Sequence, residues 1–531
     1  MSLRTPALVR LLAAAVTGAA ALTTVGAGVA AAAPTQAAAG TTTTAATTAA
    51  KADRSFVTRD GDRLEVGGKN FRFAGTNNYY LHYKSAAMRD AVLDKAADSG
   101  FDVVRTWGWF DVGTEEDPTA GSQENTYLQY WDGSGHPKYN DGPNGLAKLD
   151  AVIARAQQDG LRLVIPFTNN WEDFGGMDKY VEWAGGDHHD DFYTDPTIRG
   201  WYKDYISHLL NHTNTITGVK YKDDPTIMTW ELANEPRCVG SGDYPASSTC
   251  TSDTLTSWAD DVSTFIKSID RNHLVSVGDE GFFCDQPSST DWTHNCSQGV
   301  DTVRFAALKN VDVMSYHLYP DAWGKDADWG TQYIVDHATA AKQVGKPVML
   351  GEFGLRDKAM RNPVYKIWTD TAYQSGTTGA LYWILSDAQD DGTLYPDYDG
   401  FTVYCPSAVC TTLSNSATRF RSGTKKFAPV ADDDTAATTP GTSVSSDVTV
   451  NDVAYAPARL RTASVDLDPA AGGTQTTRSV AGGTFTVNRS GTVTFAPTTG
   501  FTGTASTTYT VTDSKGRVSN APTLTVTVAA A

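Results

Sequence analysis

Short apolar runs alternate with amphipathic stretches along the chain from Phe71 to about residue 427. The stretch LAKLDAVIARAQQDG (146–160) repeats its apolar residues at spacings of three and four, which is typical of a helix with one buried face, and Gly160 marks its end. Eight apolar runs predict β-strands: FRFAGTNNY (71–79), DVVRTW (102–107), LRLVIPF (161–167), TIMTWELANE (226–235), HLVSVGDEG (273–281), VDVMSYH (311–317), PVMLGEF (347–353) and GALYWILS (379–386). Strands that alternate with helices predict a parallel sheet, and eight such units predict an α/β fold, the (β/α)8 TIM barrel.

Polar and aromatic residues stand where each predicted strand ends. The active site of a (β/α)8 barrel lies at the carboxyl ends of its strands, so we expect these side chains to share one pocket. A barrel with only a structural role would not need such residues on strand after strand. They are Asn77 and Asn78, Arg105 and Trp107, Asn169 to Trp171, Asn234 and Glu235, Glu280, His317 and Tyr319, Glu352, and Trp383.

Two of these residues, Glu235 in NEP and Glu352 in GEFG, end the predicted strands four and seven. A pair of carboxyls across a pocket is what glycosidic cleavage needs, because one donates a proton and the other attacks the anomeric carbon. The alternative is that each glutamate is a salt-bridged strand end. Arg105 and Tyr319 are predicted to contact Glu352, since a nearby cation favours the carboxylate.

The neighbouring residues have predicted roles with structural alternatives. Asn234 is expected to hold a sugar hydroxyl, and Trp383 is expected to form the floor of a sugar subsite. Core packing is the alternative for Trp383, and a structural ion pair is the alternative for Arg105. Partial desolvation and a nearby negative charge are expected to raise the pKa of Glu235, as an acid catalyst requires.

The N-terminus reads as an export signal. Arg4 and Arg10 precede an apolar run and the small-residue stretch VAAAAP, which predicts a signal peptide over 1–32, followed by an Ala/Thr-rich linker over 33–52. The alternative, a membrane anchor, is disfavoured because the run is only weakly apolar and no charged stop-transfer segment follows it. The mature chain is therefore predicted to be extracellular, without a membrane segment.

Export exposes the six cysteines to oxidising conditions, so they become disulfide candidates. Proximity in sequence favours the pairs Cys238 with Cys250, Cys284 with Cys296, and Cys405 with Cys410. Free buried thiols are the alternative, and the absence of any CxxC pair argues against a zinc ribbon.

The chain changes character after the predicted catalytic region, 53–427. Residues 428–446 read as a linker, and 447–531 alternate Thr and Val between Gly, Asn and Asp turns, which predicts an all-β, antiparallel sandwich-like domain. This segment resembles the fibril-type repeats of bacterial surface proteins, a family of spacer or adhesive modules. A sugar-binding module is the alternative, although the segment has no Trp to form a flat platform; Tyr455 and Tyr509 remain candidates.

Charge and composition exclude several function classes. The net charge is −18, and residues 51–429 carry all of it, so a basic nucleic-acid face is not expected. The stretch GGDHHDD (185–191) contains potential metal ligands, but adjacent histidines cannot easily face one ion, which favours loop capping. No phosphate loop or dinucleotide fingerprint occurs. We therefore predict no cofactor, no metal, no nucleic-acid partner and a monomer.

The segments between Phe71 and about Leu385 resemble glycoside hydrolase family 5, and more closely its endo-β-1,4-mannanases. The most specific matches are NNWEDFGG and WELANEPRC, with GDEGF, HLYPDAWG, GEFG and LYWIL in the same order. The resemblance implies Glu235 as acid/base and Glu352 as nucleophile. It also implies a set of sugar contacts: Arg105, Asn234, His317, Tyr319 and Trp383 around the cleaved sugar, and Trp171 and Arg237 on the leaving-group side. Trp107, Asn169 and Glu280 complete the predicted substrate-binding set.

The resulting prediction is a secreted, retaining endo-β-1,4-mannanase that hydrolyses mannan, glucomannan or galactomannan. The choice of mannan over cellulose rests on the resemblance alone, because residue spacing cannot reveal an axial rather than an equatorial hydroxyl. Two alternatives remain open: another family 5 β-glycanase such as an endoglucanase, and a non-catalytic carbohydrate-binding or adhesive protein.

Overall fold

The structure is a computed structural model that describes residues 55–530. The predicted signal peptide and the Ala/Thr-rich linker lie outside the described residues. No helix in the described part is both long and apolar enough to span a bilayer.

The strands of the N-terminal part are, in chain order, β1 (Val57–Asp60), β2 (Arg63–Val66), β3 (Lys69–Asn70), β4 (Phe73–Asn77), β5 (Val103–Arg105), β6 (Asp111–Val112), β7 (Gln129–Tyr130), β8 (Lys138–Tyr139), β9 (Arg162–Pro166), β10 (Ile227–Glu231), β11 (Leu274–Ser276), β12 (Met314–Leu318), β13 (Val348–Phe353) and β14 (Gly379–Tyr382). The helices are α1 (Ala86–Asp98), α2 (Leu146–Asp159), α3 (Met177–Ala184), α4 (Asp191–Thr194), α5 (Pro196–Asn211), α6 (Ser252–Ile269), α7 (Thr302–Ala307), α8 (Ala327–Val344), α9 (Arg361–Ser375) and α10 (Ala408–Ser422), with short 3-10 turns at Tyr221–Asp223 and Lys358–Met360.

Eight parallel strands form the barrel. They pair in the order β11, β10, β9, β5, β4, β14, β13, β12, so that each strand lies beside its sequence neighbours among the eight and β14 returns to β4. The ring is nearly closed, because the segment that precedes β12 reaches β11 through backbone bonds from Asp312 and Val313 to Val275. All eight predicted strands are confirmed, and so is the helix at 146–160, which ends at Gly160 with a left-handed φ of 74°.

The barrel interior is packed at the end opposite the carboxyl ends of the strands. A cluster takes one residue from each strand or its leading edge: Phe73, Val103, Val164, Met228, Leu274, Val313, Met349 and Leu381. Val57 of β1 and Leu64 of β2 join the same cluster and are 2% and 1% exposed. The antiparallel sheet of β1, β2 and β3 therefore covers this end of the barrel. A second and larger core lies between the barrel and its helices.

The C-terminal part is an all-β domain with strands β15 (Asp434–Thr438), β16 (Val444–Asp447), β17 (Leu460–Asp466), β18 (Thr477–Val480), β19 (Gly483–Val487), β20 (Thr492–Pro497), β21 (Gly503–Thr508), β22 (Thr510–Asp513) and β23 (Thr523–Val528). Its sheets pair β15–β23–β21, β16–β20–β19–β18 and β17–β22 around a core that includes Phe485, Phe495 and Tyr509. The predicted all-β architecture is confirmed, although β15 and β23 pair in parallel rather than antiparallel fashion.

The prediction of a linker over 428–446 is wrong. Strand β15 and all but the last residue of β16 lie within this segment, and the two strands pair with β23 and β20. Their exposed faces carry Thr, Ser and Ala, which is why the composition resembles a linker; pairing with distant strands decides their conformation.

The C-terminal domain contacts helices α9 and α10. Asn362 of α9 is fully buried; its side-chain amide donates to the Asn451 carbonyl at 2.8 Å and its oxygen accepts from Thr412 at 2.6 Å. The Tyr455 hydroxyl accepts from Asn415 at 3.0 Å, and the Tyr455 ring lies 5.0 Å from that of Phe427.

Three disulfides join Cys238 to Cys250, Cys284 to Cys296 and Cys405 to Cys410, as predicted from proximity. The first lies in the segment between β10 and α6 and the second between β11 and α7, so both brace loops that follow the carboxyl ends of barrel strands.

Candidate active site

Arg105, the last residue of β5, is the charged centre of the barrel mouth. Its guanidinium is fully buried and donates to Glu231 at 2.6 Å, to Glu352 at 2.5 Å and to the side-chain oxygen of Asn234 at 2.7 Å. A buried cation needs such partners, because desolvation without them is costly. The predicted contact with Glu352 is present, and the structural ion pair considered as its alternative is present as well, with Glu231.

Glu352, on β13, is held at both oxygens. Oε1 accepts from Arg105, and Oε2 accepts from the Tyr319 hydroxyl at 2.5 Å. Burial raises the pKa of this carboxyl, while His317, Arg105 and the Tyr319 hydrogen bond act in the opposite direction. Burial and the neighbouring carboxylates raise the pKa of Tyr319, so the phenol keeps its proton and serves as a donor.

Glu235 follows β10 and has different partners. Its Oε2 accepts from the Trp171 indole at 2.5 Å, and its Oε1 lies 2.6 Å from His317 Nδ1. Burial raises the pKa of Glu235, as the sequence predicts, and outweighs the opposing effects of Arg237, Trp171 and Arg105. Burial also lowers the pKa of His317, which favours a neutral imidazole between the two glutamates.

The backbone at Glu235 has a φ of 54°, in the region that non-glycine residues rarely adopt. Residues held in this way cost about 1–3 kcal/mol and cluster at functional sites. A backbone bond from Glu235 N–H to the Gly278 carbonyl at 2.8 Å holds the turn. The backbone therefore turns away from β10 at Glu235, and this turn directs the carboxyl into the mouth.

The two glutamates converge on one another. One oxygen of Glu235, one oxygen of Glu352 and a ring nitrogen of His317 all lie within 4.8 Å of each other. Such a set could in principle hold a metal ion, but the Arg105 guanidinium is bonded to Glu352, and a fixed positive charge there disfavours a second cation. The arrangement suits chemistry in which a proton and a sugar carbon are handled by neighbouring carboxyls.

Aromatic rings form one wall of the mouth. Tyr79 and Trp383 stack with centroids 6.0 Å apart, Trp107 lies 6.3 Å from Trp383, and Trp107 packs on Trp109 at 4.4 Å. Trp383 is only half-buried, and its indole donates to Asp399 at 2.6 Å. Partial exposure favours a sugar platform over the core-packing alternative for this residue.

Arg237 and Glu280 form a second charged pair beside Glu235. The Arg237 guanidinium donates to both Glu280 oxygens, through Nη2 at 2.5 Å and through Nε, and lies over the rings of Trp171 and Phe282. Burial raises the pKa of Glu280 to about 7, although Arg237 opposes this. Both oxygens of Glu280 therefore accept hydrogen bonds from Arg237, and the role of Glu280 is to orient that guanidinium.

Asn234 and Asn169 are joined to one another. The Asn234 amide donates to the Asn169 side-chain oxygen at 3.0 Å while its own oxygen accepts from Arg105. Both residues are buried in the mouth, at 6% and 1% exposure.

Taken with the contacts described above, the structure brings together all twelve residues predicted for the site.

Sequence reasoning missed several supporting residues. Glu231 is the last residue of β10, four residues before Glu235, and Asp399 comes from the loop that follows β14. The position of Glu231 at the carboxyl end of the apolar run TIMTW would have revealed it, because site residues of a (β/α)8 barrel lie at those strand ends. No local signal marks Asp399, whose contact with Trp383 spans a long loop.

The histidine-containing loop at 185–191 uses its polar groups internally. Asp191 accepts from the backbone N–H groups of Asp187 and His188 at 2.9 and 3.0 Å, as the capping interpretation predicts. His189 lies 2.5 Å from Asp178 and 3.0 Å from Asn170, and so ties this loop to the one that carries Trp171.

Comparison with known proteins agrees with this geometry. Residues 54–378 match the family model described as GH family 5 beta-mannosidase-like, and residues 426–530 match the bacterial cadherin-like domain. Among curated relatives, a probable mannan endo-1,4-beta-mannosidase A of Aspergillus flavus is 36% identical over 352 residues, covering 66% of this chain and 84% of the relative.

Solved structures show the same similarity. The endo-1,4-beta-mannanase of Rhizomucor miehei is 40% identical with a TM-score of 0.64, covering 69% of this chain and 99% of its own. The endo-beta-1,4-mannanase of Thermotoga petrophila is 34% identical with a TM-score of 0.64, covering 87% of this chain and 99% of its own. With its eight-stranded barrel and paired glutamates, the chain therefore belongs to the β-mannosidase-like members of glycoside hydrolase family 5.

Proposed function

We propose that the protein is an endo-β-1,4-mannanase that cleaves internal bonds of mannan, glucomannan or galactomannan with retention of configuration. The observation that carries the proposal is that one oxygen of Glu235 and one oxygen of Glu352 lie within 4.8 Å of each other, while each carboxyl has its own donors. Carboxyls of retaining glycosidases stand about 5–5.5 Å apart, whereas inverting enzymes need about 6.5–9.5 Å to admit a water molecule. The substrate follows from the mannanase relatives.

In the first step Glu235 gives its carboxyl proton to the glycosidic oxygen while a Glu352 oxygen attacks the anomeric carbon. The bond between that carbon and the leaving oxygen breaks, and a glycosyl ester with Glu352 remains. Arg105 and Tyr319 hold the attacking carboxylate in place through both of its oxygens. The raised pKa of Glu235 keeps the proton available above the usual range of a glutamic acid.

In the second step the Glu235 carboxylate takes a proton from water, whose oxygen attacks the anomeric carbon and releases Glu352. The Trp171 indole donates to Glu235 at 2.5 Å and stabilises this ionised form. Arg237, oriented by Glu280, lies over the Trp171 ring and is assigned to the leaving-group side of the cleft.

The decisive experiment measures reducing-sugar release from mannan, galactomannan, glucomannan and cellulose, with NMR of the first products from a β-mannan oligosaccharide. We expect release from the mannans and the β-anomer first. Release from cellulose alone would indicate an endoglucanase, no release would indicate a binding protein, and an initial α-anomer would exclude the retaining mechanism.

Export and the role of the C-terminal domain belong to the same proposal. Three disulfides among six cysteines are typical of proteins that mature in an oxidising compartment. We assign the C-terminal domain to spacing or surface attachment, because Tyr509, one of its two candidate sugar-binding aromatics, is fully buried. N-terminal sequencing of the cultured product tests export: it should begin after the predicted signal peptide.

A further inference from the structure

A second cluster of potential metal ligands lies on the outer helices and shares no residue with the mouth. It consists of His208 in the last turn of α5, His212 as the C-cap residue directly after α5, and Asp141 in the loop before α2. One ring nitrogen of each histidine and one carboxylate oxygen of Asp141 all lie within 4.8 Å of each other. His208 Nε2 and Asp141 Oδ1 are 2.7 Å apart.

The spacing of the two histidines matches a helical metal-binding pair. Residues four apart on a helix lie on one face, as the histidines of helical zinc sites do. A tetrahedral Zn²⁺ with bonds of about 2.0–2.2 Å separates its ligand atoms by roughly 3.3 Å, so the cluster needs only side-chain adjustments. Asp141 and His208 can make them, since their side chains are 54% and 26% exposed.

The residues around the cluster orient its histidine rings and add negative charge, as a metal site requires. The buried carboxylate of Asp150 lies 3.0 Å from His212 Nε2 and also accepts from the Tyr221 hydroxyl at 2.7 Å. Ligating histidines commonly bond to a carboxylate through the ring nitrogen that does not hold the metal, which fixes the ring and raises its basicity, so His212 would bind the ion through Nδ1. The Tyr139 ring stacks on His208 at 4.2 Å and limits its rotation.

Electrostatics favour a cation at this position. Asp141 and Asp150 bring two carboxylates, and the C-terminal end of α5 adds the negative end of the helix dipole. Imidazole nitrogen and carboxylate oxygen together suit Zn²⁺ better than Ca²⁺ or Mg²⁺, which prefer oxygen ligands throughout.

We propose that Asp141, His208 and His212 bind one Zn²⁺ ion, with water completing its coordination. The ion would replace the hydrogen bond between Asp141 and His208 and would clip the loop before α2 to the end of α5. The site is structural, because none of its ligands bonds to Glu235 or Glu352 among the described residues.

The test titrates Zn²⁺ into the full-length chain after chelation, without a histidine tag, by calorimetry, and follows Co²⁺ substitution by its visible absorption. We expect one equivalent to bind and the thermal midpoint to rise with Zn²⁺ concentration, as ligand linkage requires. The variants His208→Gln and Asp141→Asn should each weaken binding at least tenfold, and both residues are exposed enough for the variants to fold.

The matched control is His136→Gln, which removes an exposed histidine from outside the cluster and should leave Zn²⁺ affinity unchanged. Glycosidase activity on soluble mannan should be the same with and without the ion, so the outcome is independent of the proposed function. Absence of saturable binding, or equal affinity in His208→Gln, Asp141→Asn and the parent chain, would overturn the proposal.

Discussion

At the scale of single residues, the two glutamates differ in the donors that hold them. Glu352 is bonded to a guanidinium and a phenol, whereas Glu235 is bonded to an indole and faces a neutral imidazole. A bonded cation stabilises a carboxylate more than neutral donors do. This asymmetry is the physical basis for assigning attack to Glu352 and proton transfer to Glu235.

The two roles can be separated with a substrate that has a good leaving group. Glu235→Ala should lose about 10²–10⁴-fold activity on mannan, since general acid catalysis is worth that much. The activated substrate needs no acid, so the glycosyl-enzyme should accumulate, and azide should rescue turnover to the β-glycosyl azide. NMR of the azide product gives its anomeric configuration and so tests this expectation.

Glu352→Ala removes the oxygen that we assign to the attack and provides the comparison. Rescue by azide in this variant should proceed by a single displacement and yield the α-azide. If the two variants give the opposite anomers, the assigned roles of Glu235 and Glu352 are exchanged.

The indole of Trp171 should tune the pH range of activity. Its bond to Glu235 favours the ionised carboxyl, so Trp171→Phe should raise the Glu235 pKa further. Because we assign Glu235 as the acid of the first step, the basic limb of the kcat/KM profile should move to higher pH. Trp201→Phe, on α5 and packed against Trp131 at a centroid distance of 5.4 Å, is the control and should not move it. A shift toward lower pH in Trp171→Phe would contradict the assigned bond.

At the scale of elements, we expect the small N-terminal sheet to contribute to stability and not to binding. Val57 and Leu64 complete the packed layer at the end of the barrel away from the mouth. Conserved chemistry is confined to the other end in barrels of this type, where the strand-to-helix loops meet. The two ends of the barrel should therefore respond independently to substitution.

Leu64→Ala tests this separation. Leu64 is 1% exposed, and truncating a buried leucine costs about 2–5 kcal/mol of the free energy of unfolding. Denaturant unfolding should show this loss while KM and kcat at moderate temperature stay unchanged. Arg63→Ala, whose side chain is 60% exposed, should change stability by less than about 0.5 kcal/mol. A raised KM in Leu64→Ala would show that the covering sheet influences the mouth.

At the scale of the whole molecule, the C-terminal domain rests on α9 and α10 through groups that are buried in the contact. Asn362 is fully buried between Asn451 and Thr412, and Tyr455 joins Asn415. The C-terminal domain is therefore packed against the barrel helices and is not merely joined to them through the chain.

A chain that ends near Phe427 should keep full activity on soluble mannan, because every described contact of Glu235 and Glu352 comes from the barrel. It should unfold at a lower temperature, since leaving a buried polar group such as Asn362 without its partner costs about 1–3 kcal/mol. Calorimetry and an activity assay measure the two effects. Tyr455→Ala in the full chain should lower the midpoint in the same direction. Loss of activity in a folded truncated chain would show that the domain is part of the catalytic unit.

The sequence by itself determined the barrel and its eight strands, and it predicted the disulfide pairs by proximity and the residues of the mouth by their place at strand ends and by family resemblance. Apolar periodicity and strand-end chemistry are local, and parallel strands bring their carboxyl ends together whatever the loops between them do. Only the tertiary structure decided which side chains form hydrogen bonds with each other: Glu231 with Arg105, Glu280 with Arg237, and Asp399 with Trp383. These contacts join side chains from different loops, and the strands β15 and β16 likewise depend on pairing with β23 and β20. Local composition carries no information on such pairings, because their energy comes from groups far away in the chain.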